Sequence, residues 1–274
     1  MFLGHINDFE NNTYTPIEQL NNKWVLVKED NQYSVVSNVC PHQKSLISKI
    51  AGSGIRVCPY HNWSFSIGGD PIKSGRTEYY CKNEQALEKM PVYEWNGLLT
   101  TVPLHCRELD FIDLKSMKLV EKRIDTVYAQ PENVMDLFLD VDHIETVHAG
   151  VYDKIGLDRI NSVDWFYYSN GSLQLVPGPN GYGAAWLAIY PGSMIEWQPG
   201  SLFITVAIKD AANKSKVVVY KYKDTNYSEE SFLNNQAVWE QAWSQDKDQA
   251  EMLTEFTYRN LEASKIHFRS FLSR

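Results

Sequence analysis

The chain is poor in cysteine, with four in 274 residues, and short of positive charge, with 26 lysines and arginines against 34 aspartates and glutamates. Four thiols are too few for a disulfide framework, so they are read as free for metal binding or packing in a reducing compartment. A net charge of -8 argues against nucleic acid as a partner, because neutralising phosphates takes clustered cations. No apolar run is long enough to cross a bilayer, and no basic leader precedes an apolar segment and a cleavage site. The expectation is a cytoplasmic protein with no membrane partner. Repeats and low-complexity tracts are absent as well. What is present is a globular composition, 43% hydrophobic and 22% charged, with 13% aromatic residues that would suit an apolar pocket. The length fits one large or two modest domains.

Residues 40–65 read CPHQKSLISKIAGSGIRVCPYHNWSF, a Cys-x-His pair (Cys40, His42) and a Cys-x-x-His pair (Cys58, His61) separated by 15 residues. Two thiolates and two imidazoles suit either zinc or an iron-sulfur cluster. The neighbouring segments WVLVKE, YSVVSNV, GIRVC and WSFSI read as short strands, whereas a zinc finger would place its His pair on a helix. Pro41 and Pro59 stiffen the loop tips, and Gly52 and Gly54 supply the turn between them. Cys81 and Cys106 have no partner at ligand spacing and are read as structural thiols.

The cysteine-histidine pattern resembles that of the Rieske family. The resemblance implies a 2Fe-2S cluster, one iron carried by Cys40 and Cys58 and the other by His42 and His61. Replacing two thiolates by neutral imidazoles raises the cluster's potential above that of an all-cysteine ferredoxin. Respiratory Rieske proteins carry an extra cysteine in each loop, where this chain has Ser45 and Tyr60, so no clamp disulfide is expected. Gln43 stands where an arginine is frequent. A soluble Rieske ferredoxin would be complete by about residue 110, which leaves the remainder of the chain to explain.

That remainder opens with PENVMDLFLDVDHIETVHAG, residues 131–150. Pro131 and Glu132 suit a helix start, and Val134, Leu137, Phe138, Val141 and Ile144 recur at helical spacing. The reading is one buried amphipathic helix, ending or bulging near Ala149 and Gly150 so that His148 swings back towards His143. By themselves the two histidines could bind a metal or be satisfied core groups. In context the string resembles the D-x-x-H-x-x-x-x-H motif of Rieske non-haem iron oxygenases, alpha (oxygenase) subunits. The resemblance implies His143 and His148 as ligands of a mononuclear Fe(II), with Asp140 as an electron-bridging carboxylate. A third, carboxylate ligand completes a facial triad. The segment SEESFLNNQAVWEQAWSQDKDQAEMLTEFTYRNLEA, residues 228–263, reads as a long helix, and its QDKDQAE resembles the family's ligand-donating segment. That implies Asp246, with Asp248 and Glu251 as competitors. Leu137 replaces an asparagine common in the family.

Between these helices SLQLV, AAWLAIY, SMIEWQ, LFITVAIKD and KVVVYKYKD read as strands of an antiparallel sheet. The expected fold is α+β: an all-β Rieske domain over residues 1–115 and a helix-grip (START-like) catalytic domain over 116–274. Trp165, Phe166, Tyr167, Tyr168, Trp186 and Tyr190 would either line an apolar pocket or pack across strands. With no flavin or nicotinamide motif in the chain, electrons would come from a ferredoxin or flavin-dependent reductase. The resemblance implies a homotrimer in which His61 of one chain meets Asp140 of the next. It further implies activation of O2 and hydroxylation or dealkylation of a small organic, aromatic or apolar substrate. A cis-dihydroxylating ring dioxygenase and a non-catalytic Rieske electron carrier are the alternatives.

Overall fold

A computed structural model describes residues 1–73, 85–104, 106–157, 162–178, 181–252 and 263–272, which leaves Cys81 outside the described residues. The chain forms two compact units, Leu3–His105 and a second comprising Met1–Phe2 with Cys106–Arg274. The division thus falls at 105/106, where the sequence reading put it at 115/116.

The first unit is built from short strands: β1 (Phe2–His5), β2 (Thr13–Pro16), β3 (Trp24–Glu29), β4 (Gln32–Ser37), β5 (Gly52–Ser53), β6 (Arg56–Val57), β7 (Ser64–Phe65), β8 (Pro71–Lys73), β9 (Lys89–Met90), β10 (Tyr93–Trp95) and β11 (Leu98–Thr100). They form a five-stranded sheet in the order β5-β2-β3-β4-β9 and three-stranded sheets β6-β7-β8 and β1-β11-β10. Asp30 and Asn31 close the β3–β4 hairpin, both at positive φ, which is the conformation a two-residue turn needs to match the strands' twist. Val25, Val27, Val36, Phe65 and Ile67 form a core that also contains Cys40 and Cys58.

The second unit holds β12 (Met117–Val127), α1 (Pro131–Phe138), α2 (Ile144–Val147), β13 (Asp164–Tyr168), β14 (Gly171–Gly178), β15 (Gly181–Ile189), β16 (Ser193–Gln198), β17 (Ser201–Ala211), β18 (Lys214–Asp224), α3 (Glu229–Met252) and α4 (Ala263–Leu272). Its seven strands make one antiparallel sheet, β12-β18-β17-β16-β15-β14-β13. Phe232, Trp239 and Trp243 of α3 pack with Phe203, Val217 and Val219 of the sheet. This sheet-and-helix arrangement is the helix-grip form expected.

Two elements differ from the sequence reading. The helix expected over 131–148 is broken: α1 stops at Phe138 and α2 begins at Ile144. The stop is local chemistry. The Asp140 N–H donates to Leu137 O, a tightening of the last turn, and Asp140 Oδ1 accepts from the His143 N–H at 3.2 Å, so the aspartate closes the turn that leads into α2. β12, the edge strand MKLVEKRIDTV, was not anticipated, because its alternating charges resemble a polar connection. Those charges pair inward. Arg123 binds Glu240 of α3 through both nitrogens (2.5 and 2.9 Å) and Trp243 Nε1 donates to Asp125 at 2.7 Å. Buried Lys221 of β18 bridges Glu121 and Glu240. This network fixes the position of α3 along the sheet.

Candidate metal centres and pocket

In the first unit the two ligand loops repeat one backbone design. The Cys40 N–H donates to Ser45 O and the Lys44 N–H to Cys40 O; in the second loop the Cys58 N–H donates to Trp63 O and the Asn62 N–H to Cys58 O. Lys44 and Asn62, four residues after each cysteine, both take the left-handed conformation, with φ of 55° and 60°. The residues two places before the cysteines also correspond, and they meet: Arg56 Nη2 donates to Asn38 Oδ1 at 2.9 Å, both side chains fully buried. This polar tie holds the loops where Ser45 and Tyr60 provide no disulfide. The result brings the four candidate ligands together. Cys40 and Cys58 are each 1% exposed, their side chains are hydrogen-bonded to each other, and the His42 and His61 rings lie 4.6 Å apart on the exposed side. Burial raises the Cys40 thiol above its usual range and the neighbouring Cys58 adds to this, the response of thiols that lack a cation to compensate them. Gln43 is exposed. Cys106, in the second unit, is buried with its thiol pushed up to about 11 by burial, a packed group with no ligand role.

In the second unit His143, His148 and Asp246 offer ligand atoms that all lie within 4.8 Å of one another. Nε2 of His143 and of His148 are 3.1 Å apart, and Asp246 Oδ1 lies 3.1 and 2.9 Å from them. His148 Nδ1 faces Gln245 Oε1 at 2.8 Å, an acceptor that keeps the proton on Nδ1 and leaves Nε2 as a lone pair. Burial would push Asp246 up, but its contacts with His143 and His148 prevail and hold it below the usual range. For His148 burial works downward, and Asp246 outweighs it, raising the ring. Electron-pair donors this close need positive charge between them, and two imidazoles with one carboxylate are the donor set of a non-haem iron site. The residues therefore fit that ion. His143 Nδ1 is buried without a hydrogen bond, and Asp140 Oδ1 lies 3.9 Å from it. Of the competitors to Asp246, Glu251 accepts from the Tyr128 N–H and is not part of the cluster; Asp248 is likewise outside it.

A cavity adjoins this cluster, lined by Asp140, His143, His148 and Asp246 together with Leu137, Phe138, Ile144, Tyr152, Trp186, Met194, Glu196, Trp239 and Trp243. Of the six aromatics singled out in the sequence only Trp186 lines it. Tyr167 is exposed, Tyr168 donates to Glu108 at 2.6 Å and Tyr190 packs on Phe268. The missed tryptophans had a signal: Trp239 and Trp243 precede the expected ligand Asp246 at steps of four and three, one face of α3. Rings run from the sheet to the cavity as stacked pairs, Phe203 on Trp239, Trp239 near Trp243, Trp243 on Phe138. Each such pair contributes about 0.5–1.5 kcal/mol beyond its burial. Leu137 presents an apolar group to the cavity.

A Rieske [2Fe-2S] domain model matches residues 1–87. The chain is 25% identical to a putrescine 2-hydroxylase of Ralstonia nicotianae, with 76% of this chain and 64% of that protein aligned. It is 24% identical to the carnitine monooxygenase oxygenase subunit of Escherichia coli over 57% of this chain and 48% of that protein. Residues 1–87 thus form a Rieske domain, and the chain beyond them is similar to Rieske oxygenase subunits. The matched stretches span less than two thirds of these curated relatives. In fold, the chain resembles the quaternary ammonium Rieske monooxygenase CntA, with a TM-score of 0.76 at 15% identity, covering 100% of this chain and 87% of that one. Naphthalene 1,2-dioxygenase gives 0.70 at 14% identity, over 93% and 75%. The Rieske domain carries a 2Fe-2S cluster, and the four residues gathered at its two loops are those that fit it.

Proposed function

We propose that this chain is the oxygenase component of a Rieske system, taking electrons from a ferredoxin or flavin-dependent reductase and using O2 to hydroxylate or dealkylate a small organic substrate. The observation that carries this reading is the convergence of His143, His148 and Asp246, the last drawn from 103 residues away. A simple electron carrier has no use for such a site. Cys40, Cys58, His42 and His61 hold the cluster, and His143, His148 and Asp246 hold a mononuclear Fe(II). When bound, the cluster stores single electrons at a raised potential, and the iron supplies the reductive chemistry of O2. Gln245 keeps His148 in one tautomer, while Leu137, Phe138 and the tryptophans exclude bulk water from the cavity. The family relatives' named activities, a hydroxylase and a monooxygenase, favour insertion of one oxygen atom over cis-dihydroxylation.

In this reading the protein works as a homotrimer, with Asp140 orienting His143 and receiving electrons by way of His61 of the neighbouring chain. Its carboxylate, 3.9 Å from the unpartnered His143 Nδ1, is placed to accept that proton. The prediction for Asp140→Ala is that both metal centres load, while single-turnover oxidation of the reduced cluster fails; normal turnover would remove Asp140 from the path. Metal analysis separates the oxygenase, about three irons per chain, from the carrier, about two. Anaerobic loading, admission of O2 and mass analysis of products then distinguish a gain of one oxygen, a gain of two, and loss of a methyl group.

A further inference from the structure

One transverse row of side chains crosses the whole sheet of the second unit on the face that α3 covers. Register pairs Trp165 with Gln174, Gln174 with Trp186, Trp186 with Glu196, Glu196 with Phe203, Phe203 with Lys221, and Lys221 with Glu121. Directly opposed residues of antiparallel strands share a face. The charges at the β12 end are matched, since Lys221 pairs with Glu121 and Glu240. At the cavity they are not. Glu196 is 5% exposed, sits two residues from Met194 on the cavity-lining face of β16, and has one hydrogen bond, from neutral Trp239 Nε1 at 2.9 Å. Among the described residues no lysine or arginine pairs with it. Beside it, Trp186 Nε1 is buried without a partner, and Gln174 Oε1, the next residue of the row, is buried without one as well.

We propose that the cavity is shaped for the cationic head of an alkylammonium substrate, with Glu196 as its counter-charge and the rings of Trp186 and Tyr152 as its walls. This rests on the oxygenase reading of the same site. A charged carboxylate so deep is costly unless a proton or a positive group meets it. Holding Trp239 does not require the charge, because the amide oxygen of a glutamine would accept the same hydrogen bond. Glu196 is not among the three residues that fit the metal, so the ion does not discharge this debt directly. An ammonium group does, and aromatic faces attract the same group through their quadrupoles. Size agrees. The cavity has about 20 Å³ of free space, room for one or two water-sized groups and therefore for a methylammonium-sized head before an aromatic ring. Reach agrees too, since Glu196, His148 and Asp246 line one cavity, so a short alkyl chain anchored at the carboxylate lies beside the metal ligands.

Binding can be measured without turnover by quenching of the cavity tryptophans in the iron-loaded protein under anaerobic conditions. The probes are ethylammonium against ethanol, and butylammonium against 1-butanol. The cations are expected to bind on the order of tenfold tighter than their isosteres. Glu196→Gln should abolish that preference, and Glu196→Asp should retain it, with iron content and cluster absorbance unchanged in both. Equal binding of cation and isostere by the native protein overturns the inference even if neither variant folds. So does a preference that survives Glu196→Gln. Iron content in the same preparations reports on the oxygenase reading separately: a missing third iron breaks that reading, whereas a full complement with no cation preference breaks only this one.

Discussion

The two candidate centres differ in how far along the chain their ligands lie and how deep they sit. The cluster ligands fall between positions 40 and 61, on two loops with the same hydrogen-bond design, with sulfur buried and imidazoles exposed. The second set joins the two ends of α2, His143 and His148, to a residue 103 positions beyond His143, and two of its three members are almost wholly buried, His148 at 2% and Asp246 at 6%. A site of the first kind needs little beyond its own loops, and an open imidazole edge suits electron exchange. The second depends on α3 being set correctly against the sheet, which Arg123, Lys221, Asp125 and Glu240 accomplish, and its depth keeps the reacting region out of water.

The contrast is broken most severely by removing one ligand from each. Asp246→Ala is expected to lose about one iron per chain and all product formation while leaving the cluster's visible absorbance intact. Cys58→Ser should do the reverse, losing the absorbance but retaining the mononuclear iron, and metal analysis with absorbance spectra checks both. If either change empties both centres, the two units do not load independently.

A smaller effect concerns burial without compensation. Burial first of all, and then the charge of Asp246, push Glu196 up to about 7, against the opposing pull of Trp239. The unfolded carboxyl titrates at its ordinary value of 4.5, so the folded form binds the proton more tightly. Its stability contribution is complete below that value and is lost as pH rises through about 7. Metal-free Glu196→Gln should therefore be more stable than the native protein at pH 8 by up to about 3 kcal/mol, and no more stable near pH 4. Denaturant midpoints at the two pH values test this; a pH-independent difference would show that the charge is compensated inside the protein.

Gln245 sharpens the comparison, since the second centre relies on a partner the first does not have. Gln245→Leu frees His148 Nδ1 and is expected to weaken iron binding about 10–100-fold, read from competition with a chelator, without altering the cluster. The smallest change is expected at Arg56→Met. Two of its nitrogens, Nε and Nη1, are already buried without partners, so losing the bonds to Ser37 O and Asn38 Oδ1 should cost only about 1 kcal/mol. Calorimetry should place that loss in the transition of the first unit alone.

Much of this was legible residue by residue. Five strands of the large sheet, the long helix carrying Asp246, and Cys40, His42, Cys58, His61, His143 and His148 all stood out, because spacing along a local segment determines which side chains can face one another. Other features were not legible. The break after Phe138 depends on Asp140 turning its side chain back onto the backbone, which competes with helix continuation only through a specific local bond. Cys81 lies outside the described residues, so its reading as a structural thiol has no counterpart here.

Glu196 marks the boundary between the two kinds of knowledge. β16 and the first seven residues of β17 are buried almost throughout, so neither stretch shows the inside-outside alternation that would tell which face an acid occupies. Sequence by itself determined the ligand types and their pairing within each loop, because those are matters of a few bonds along the chain. The family resemblance had named Asp246, but only the tertiary structure brought it beside both histidines, set Trp186 and Trp239 against Glu196, and left no described lysine or arginine paired with that carboxylate. Burial and long-range contact are properties of how distant segments pack, and no short stretch contains them.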